Sequence, residues 1–352
     1  MFEYYNLIFT FLMSFSLSVF FVLTQNYHGT WTNDSQKGVQ KIHKNPTPRI
    51  GGLSIIISLF LIYFFNLDFY PEILGIILIS SLPIIFIGLL EDITNNVNPS
   101  FRFFSAITSS IIFILISGYY LNPFSIIGYE SLLSNYFISL IFTIFCIVGV
   151  TNSINIIDGF NGLASGSLTI MIAAFSYIAW CQGDSLIFSI GTLFIASNFG
   201  FLILNFPFGK IFLGDGGAYF GGFFLAIIAI LITKRNPEIS PWVSFLICSY
   251  PIIETLVSIY RKTKRHGHHF TKPDRLHLHM LVYRDLARNI SKKLKLERFR
   301  NPTTSILMLI FPIVFCSLSA ILYLHLIAIY LLIGVAFYVY IKVYKNLSLQ
   351  KN

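Results

Sequence analysis

Long apolar runs alternate with short polar breaks from one end of the chain to the other. The runs cover residues 5–25, 51–67, 72–90, 102–120, 136–155, 163–181, 186–204, 216–233, 241–260, 303–324 and 327–344. Most are as long as the 17 to 25 residues or so that a helix needs to cross a hydrocarbon core. The pattern predicts eleven membrane-spanning helices, with one long or re-entrant element near His325 as the alternative for the last two. The expected fold class is therefore an all-α, polytopic integral-membrane bundle forming one transmembrane domain over 1–352. Only the segment 261–302 is long, polar and basic. Within it Leu286, Ile290 and Leu294 recur every four residues among Lys and Arg, which predicts an amphipathic helix lying on the membrane surface. The first run lacks a positive leader, so it is expected to be retained as a helix rather than cleaved as a signal.

Composition narrows the class further. Of 352 residues, 55% are hydrophobic and 11% charged, a balance that excludes an ordinary soluble domain. Placing the N-terminus outside puts 22 of the 24 Lys and Arg on one side and only Lys234 and Arg235 on the other; by the positive-inside rule the first side faces the cytosol. The net charge of +9 then lies mostly at a membrane surface, where anionic lipid headgroups are the expected partner and nucleic acid is not. Cys146, Cys181, Cys248 and Cys316 lie in or beside apolar runs with no CxxC pair, which gives no case for zinc or a disulfide framework.

The polar breaks carry the candidate chemistry. Thr151 to Gly166, TNSINIIDGFNGLASG, places Asn152, Asn155 and Asp158 at three-residue spacing, so a continuing helix would stack them on one face. The glycines that follow let backbone approach a ligand, and the next helix start offers amides to a phosphate. Taken alone, the segment is equally a polar turn between two spans. HKNPTPRIGGL supplies His43, Lys44 and Arg49 as positive charge, either for a lipid phosphate or as an ordinary positive-inside loop, which Lys and Arg alone favour. Glu91 and Asp92 end the third run as adjacent carboxylates, which need water or cations beside a membrane. Asp215 lies in a GDGG turn with Phe212 three residues before it: either an aromatic and an acid suited to a nucleobase and a metal-bound phosphate, or an ordinary Gly-Asp-Gly turn. Glu254 is an acid inside an apolar run, either a functional group or a satisfied contact to a neighbouring helix. His277 and His279 are two apart in the basic segment.

Taken in order, HKNPTPRIGG, ED, NSINIIDGFNGL, FLGDGG and PDRLHLHML resemble the polyprenyl-phosphate N-acetylhexosamine-1-phosphate transferases of glycosyltransferase family 4, over about residues 43 to 284. The resemblance implies transfer of a sugar phosphate, most simply GlcNAc-1-phosphate, from a UDP-N-acetyl sugar to undecaprenyl phosphate. UMP is released and Mg²⁺ is required, with Mn²⁺ as a substitute. It implies Asp215 as a metal ligand and Asp158 as part of the nucleotide and metal pocket, with Asn152, Asn155 and Asn161 beside the substrate and Phe212 stacked on uracil. Glu91 and Asp92 match paired acids with base or lipid-phosphate-positioning roles. His43, Lys44 and Arg49 match phosphate-binding positions, and His277 and His279 a histidine motif around the diphosphate. The implied setting is a bacterial inner membrane with the active site facing the cytoplasm; oligomeric state is open, a homodimer included.

Three departures modify that expectation. Glu91 stands for the usual first Asp of the pair, Asn161 for a frequent second Asp, and Met280 for a third His. They point away from the phospho-N-acetylmuramoyl-pentapeptide transferase branch and toward enzymes that initiate surface glycans. A cation-coupled transporter is the alternative of a different class. Acids gathered at one surface and the lack of an internal repeat argue against it.

Overall fold

A computed structural model describes residues 2–34, 46–65, 72–122, 136–264 and 276–349. Helices dominate: α1 Phe2–Leu23, α2 Gln25–Thr32, α3 Gly51–Phe65, α4 Glu72–Ser80, α5 Leu82–Thr94, α6 Pro99–Ser117, α7 Tyr136–Ile157, α8 Leu163–Cys181, α9 Ser185–Asn205 and α10 Gly214–Arg235. There follow α11 Pro241–Ile247, α12 Ser249–Thr263, α13 Leu278–Val282, a π turn Tyr283–Ala287, α14 Arg288–Lys293, a 3₁₀ turn Glu297–Phe299, α15 Arg300–Leu322 and α16 Leu326–Leu349. Among the described residues the only β contact is an isolated bridge between Asn33 and Pro48.

Each of the eleven apolar runs carries helix. Among the described residues eight helices are long and apolar enough to cross a membrane, or ten if each of two bent pairs is one span, and Gly51–Phe65 is a shorter apolar helix. The bends are where the sequence expectation of straight spans fails. α4 and α5 meet at 43°, and α11 and α12 at 76°. Proline is the physical reason, since it cannot donate to the carbonyl four residues back. Pro83 lies in the first turn of α5. Pro251 leaves the Ile247 carbonyl without its helical donor, and the Cys316 thiol of α15 donates to it instead at 3.4 Å.

α10 is the axis of the bundle, with 89% of its apolar window buried. Lipid tails are as apolar as leucine, so helices in a membrane gain from close backbone approach through small residues. A Cβ on Gly52 of α3 would overlap the Cα of Gly217, and one on Gly88 of α5 would stand 2.6 Å from the Cα of Gly216. Glycine in the GDGG stretch thus serves helix crossing. The chain leading into α3 is tied to the chain leading into α10: Phe212 N–H donates to Pro48 O at 2.8 Å, Gly51 N–H to Phe212 O at 2.9 Å and Gly52 N–H to Leu213 O at 2.8 Å. These bonds bring Arg49 beside Asp215.

Candidate active site

The site is built on the start of α10. The GDGG stretch, expected as a turn, forms the first turn of that helix, entered through Gly214 at φ +76°. A helix start leaves four amides without partners and carries partial positive charge. Asp92, in the last turn of α5 and with no exposed surface, meets both needs. Its Oδ1 accepts the Asp215 N–H at 2.7 Å and its Oδ2 the Gly216 N–H at 2.9 Å. A side chain on Gly214 would overlap the Arg49 carbonyl oxygen and come within 2.6 Å of Asp92 Oδ2. Asp92 therefore aims α10, and with it Asp215.

The Asp215 carboxylate sits among cations and an amide. Oδ2 accepts from Arg102 at 2.7 Å, and Oδ1 lies 3.3 Å from Asn155 Nδ2 and 3.5 Å from Arg49. Arg49 also reaches Asn95 Oδ1 at 2.6 Å and stands 3.5 Å from both Asp34 and Asp92. Burial works against its charge, but these carboxylates outweigh burial and raise its pKa. Glu91 is turned aside: its Oε2 accepts the Val97 N–H at 2.7 Å, and its Oε1 is 3.8 Å from Arg102.

Asp158 differs from the other acids. It follows the last turn of α7, is half-buried, and receives no hydrogen bond from the described residues. Burial, then the charge of Asp215, hold its carboxyl up at about 7, with Arg49 opposing. Among the described residues no three His, Cys, Asp or Glu side chains converge as a ready-made metal cage. Two nearby carboxylates, one of them without a donor, still fit Mg²⁺, which takes one or two carboxylates and completes its shell with water and substrate phosphate.

A cleft of about 790 Å³ lies alongside. Phe212 and Asn161 line it together with Thr47, Arg288, Lys292 and Arg300, so three of its walls stand within three residues of Asp215, Asp158 and Arg49. The cations on α14 and at the start of α15 were not singled out from the sequence, where they read as part of a general basic segment. Arg102 was counted only as topological charge; its position in the first turn of an otherwise apolar helix was the available signal.

The remaining candidates fall elsewhere. Asn155 joins the cluster, whereas Asn152 Nδ2 turns back to Val148 O of its own helix at 2.8 Å. The amides at the start of α8, expected to meet a phosphate, are used internally: Gly162 N–H by Asn205 Oδ1 at 2.6 Å and Leu163 N–H by Phe160 O at 3.0 Å. His277 and His279 are both buried, their rings parallel and 5.3 Å apart. Behind them lies Glu254, which accepts from Leu278 N–H at 3.2 and 3.3 Å and pairs with His277 Nδ1 at 3.0 Å. Glu254 is thus a satisfied contact between α12 and the start of α13. Burial lowers the pKa of His279 to about 4. His43 and Lys44 lie outside the described residues.

Comparison with known proteins bears on this arrangement. The family model described as glycosyl transferase family 4 matches residues 74–233, a span holding Glu91, Asp92, Asn155, Asp158 and Asp215. A probable undecaprenyl-phosphate N-acetylglucosaminyl 1-phosphate transferase of Bacillus subtilis (strain 168) is 30% identical over 245 residues, covering 69% of this chain and 68% of that protein. The chain belongs to glycosyl transferase family 4. Other family 4 relatives are phospho-N-acetylmuramoyl-pentapeptide-transferases. That of Streptococcus thermophilus (strain CNRZ 1066) is 29% identical over 253 residues, 64% of this chain and 70% of the relative. That of Streptococcus pneumoniae (strain Hungary19A-6) is 30% identical over 202 residues, 54% and 61% respectively. The resemblance carried by the motifs is borne out at the level of family 4, and so is the multi-pass helical membrane fold.

Proposed function

We propose that this chain transfers N-acetylhexosamine-1-phosphate, with GlcNAc-1-phosphate as the first candidate, from a UDP-sugar to undecaprenyl phosphate, releasing UMP. One observation carries the reading. Asp215, set among Arg49, Arg102 and Asn155, stands near an Asp158 whose carboxylate has no donor among the described residues, beside a cleft walled by Phe212 and several cations. Carboxylates for a divalent ion and cations for phosphates are the parts that phosphoryl transfer uses. The names of the family 4 relatives agree with that chemistry.

In this reading an oxygen of the lipid phosphate attacks the sugar-linked phosphorus, a new P–O bond forms, and the bond to UMP breaks. A phosphate monoester has a second pKa of about 6, so the nucleophile is already ionised at neutral pH and needs no strong base. Asp158 and Asp215 would hold Mg²⁺, which when bound offsets repulsion between two anionic substrates and stabilises charge on the departing UMP. Arg49 and Arg102 fix Asp215 and add positive charge. Phe212 stacks on the base, and Arg288, Lys292 and Arg300 face the donor's phosphates. The site faces the cytosol, and the exposed Leu286, Ile290 and Leu294 rest against an anionic leaflet.

The test is purified protein with undecaprenyl phosphate, Mg²⁺ and a panel of UDP-N-acetyl sugars that includes UDP-N-acetylmuramoyl-pentapeptide, scored for UMP and lipid-linked sugar. Turnover with one N-acetylhexosamine donor, lost in Asp215→Asn and on chelation, is the expected result. Turnover with the pentapeptide donor alone would replace this reading with the peptidoglycan one. Folded protein releasing no UMP from any donor would end both.

A further inference from the structure

Among the described residues the Asp158 carboxylate accepts no hydrogen bond and only its backbone N–H is tied, to Asn155 O at 3.3 Å, yet in the proposed function that carboxylate must keep a fixed relation to Asp215. Its turn is fastened at residues further along. Asn161 N–H donates to Asn301 Oδ1 at 2.9 Å, Asn161 Nδ2 to Pro207 O at 3.2 Å, and Gly162 N–H to Asn205. Nearer to Asp158 the fastening is Phe160. It is 4% exposed, its ring edge-on to His279 at 5.6 Å and 71° and tilted against Tyr283 at 5.3 Å and 43°. Both neighbours are themselves held. His279 stacks on His277, which Glu254 fixes; Tyr283 lies under the Arg300 guanidinium at 3.9 Å, and Arg300 Nε donates to the Tyr283 carbonyl at 3.0 Å.

We infer that Phe160 is a positioning residue: wedged between His279 and Tyr283, it sets the place of Asp158 relative to Asp215 and couples that acid to the Arg300 wall of the cleft. Aromatic packing of this kind is directional as well as cohesive, and a displacement of about 1 Å at a reacting group costs on the order of a hundredfold in rate. Phe160 touches neither substrate nor metal and acts through Asp158. The inference rests on the proposed function for the role of Asp158.

The experiment uses full-length protein in nanodiscs, with the graded series Phe160→Leu, Phe160→Val and Phe160→Ala, so that loss of the smallest variant to misfolding leaves two others. Two quantities are read: the Mg²⁺ concentration giving half-maximal UMP release, and the rise in Tm on adding Mg²⁺ with UMP, which needs no turnover. Phe160→Leu, which keeps bulk in the wedge, should stay within about threefold of wild type, whereas Val and then Ala should raise the Mg²⁺ requirement by about tenfold or more and lower kcat, with KM for undecaprenyl phosphate unchanged. The Tm rise should shrink in parallel, as in Asp158→Asn, and combining Asp158→Asn with Phe160→Ala should shrink it no further. Variants that lose basal Tm yet keep the wild-type Mg²⁺ requirement and Tm rise would overturn the inference and make Phe160 ordinary core. Wild type that shows neither UMP release nor a Tm rise would overturn the proposed function and this inference together.

Discussion

Asp92 and Glu254 are two fully buried carboxylates with the same occupation in different surroundings. Each accepts amides at a helix start: Asp92 two from α10, Glu254 the first from α13. Asp92 has a guanidinium 3.5 Å away, so its charge is met by an ion that never deprotonates. Glu254 has instead an imidazole, with His277 Nδ1 3.0 Å away. The first arrangement anchors the helix that presents Asp215. The second anchors a surface segment forming one side of the cleft. Buried acids such as these mark where the fold is pinned, and Asp158, whose carboxylate accepts no hydrogen bond from the described residues, marks where chemistry is expected.

The comparison breaks first at Asp92. Asp92→Leu strands the Asp215 and Gly216 amides, which should cost about 1–3 kcal/mol for each and abolish UMP release; a stable, active Leu variant in a detergent melting scan would mean that α10 is held by packing alone. Glu254→Gln keeps an acceptor for the Leu278 amide but removes the charge facing His277. It should cost about 1–3 kcal/mol and leave measurable turnover, and loss as complete as that of Asp92→Leu would erase the distinction between the two anchors. Gly217→Ala tests the packing half of α10's hold: the new methyl meets Gly52, and a Tm loss corresponding to about 1–3 kcal/mol is expected, against none if the helices slide apart freely. The smallest effect is at His279. Its pKa lies below that of the unfolded side chain, so the unfolded state binds more protons between about pH 6.5 and 4 and stability should fall as pH falls through that window. His279→Asn should flatten the Tm against pH there, and an unchanged slope would show that the histidine is not buried neutral.

Much of the fold was legible because crossing a membrane requires long apolar runs, and each of the eleven runs became helix. What stayed hidden depends on partners remote in sequence. The prolines at 83 and 251 were visible, but the 76° bend at Cys248 also involves Cys316 taking up the Ile247 carbonyl. The short helix α2 has no apolar periodicity to reveal it. The triplet Asn152, Asn155 and Asp158 does continue from a helix end, but only Asn155 reaches Asp215, since Asn152 satisfies its own helix. GDGG reads locally as a turn, and its helical start is fixed by Asp92 from another helix. Arg102 shows why charge counts are incomplete: a residue that enters the expected orientation only as one positive charge also holds Asp215 at 2.7 Å.

The bond between Asp92 and the Asp215 amide joins residues 123 positions apart. A ribosome adding about 5–20 residues per second makes the second partner roughly 6–25 seconds after the first. Throughout that interval the Asp92 carboxylate has neither of the α10 amides it accepts from in the finished fold. The centre of this protein is therefore completed late, and whatever shelters a half-inserted chain has to accommodate that one charge until α10 arrives.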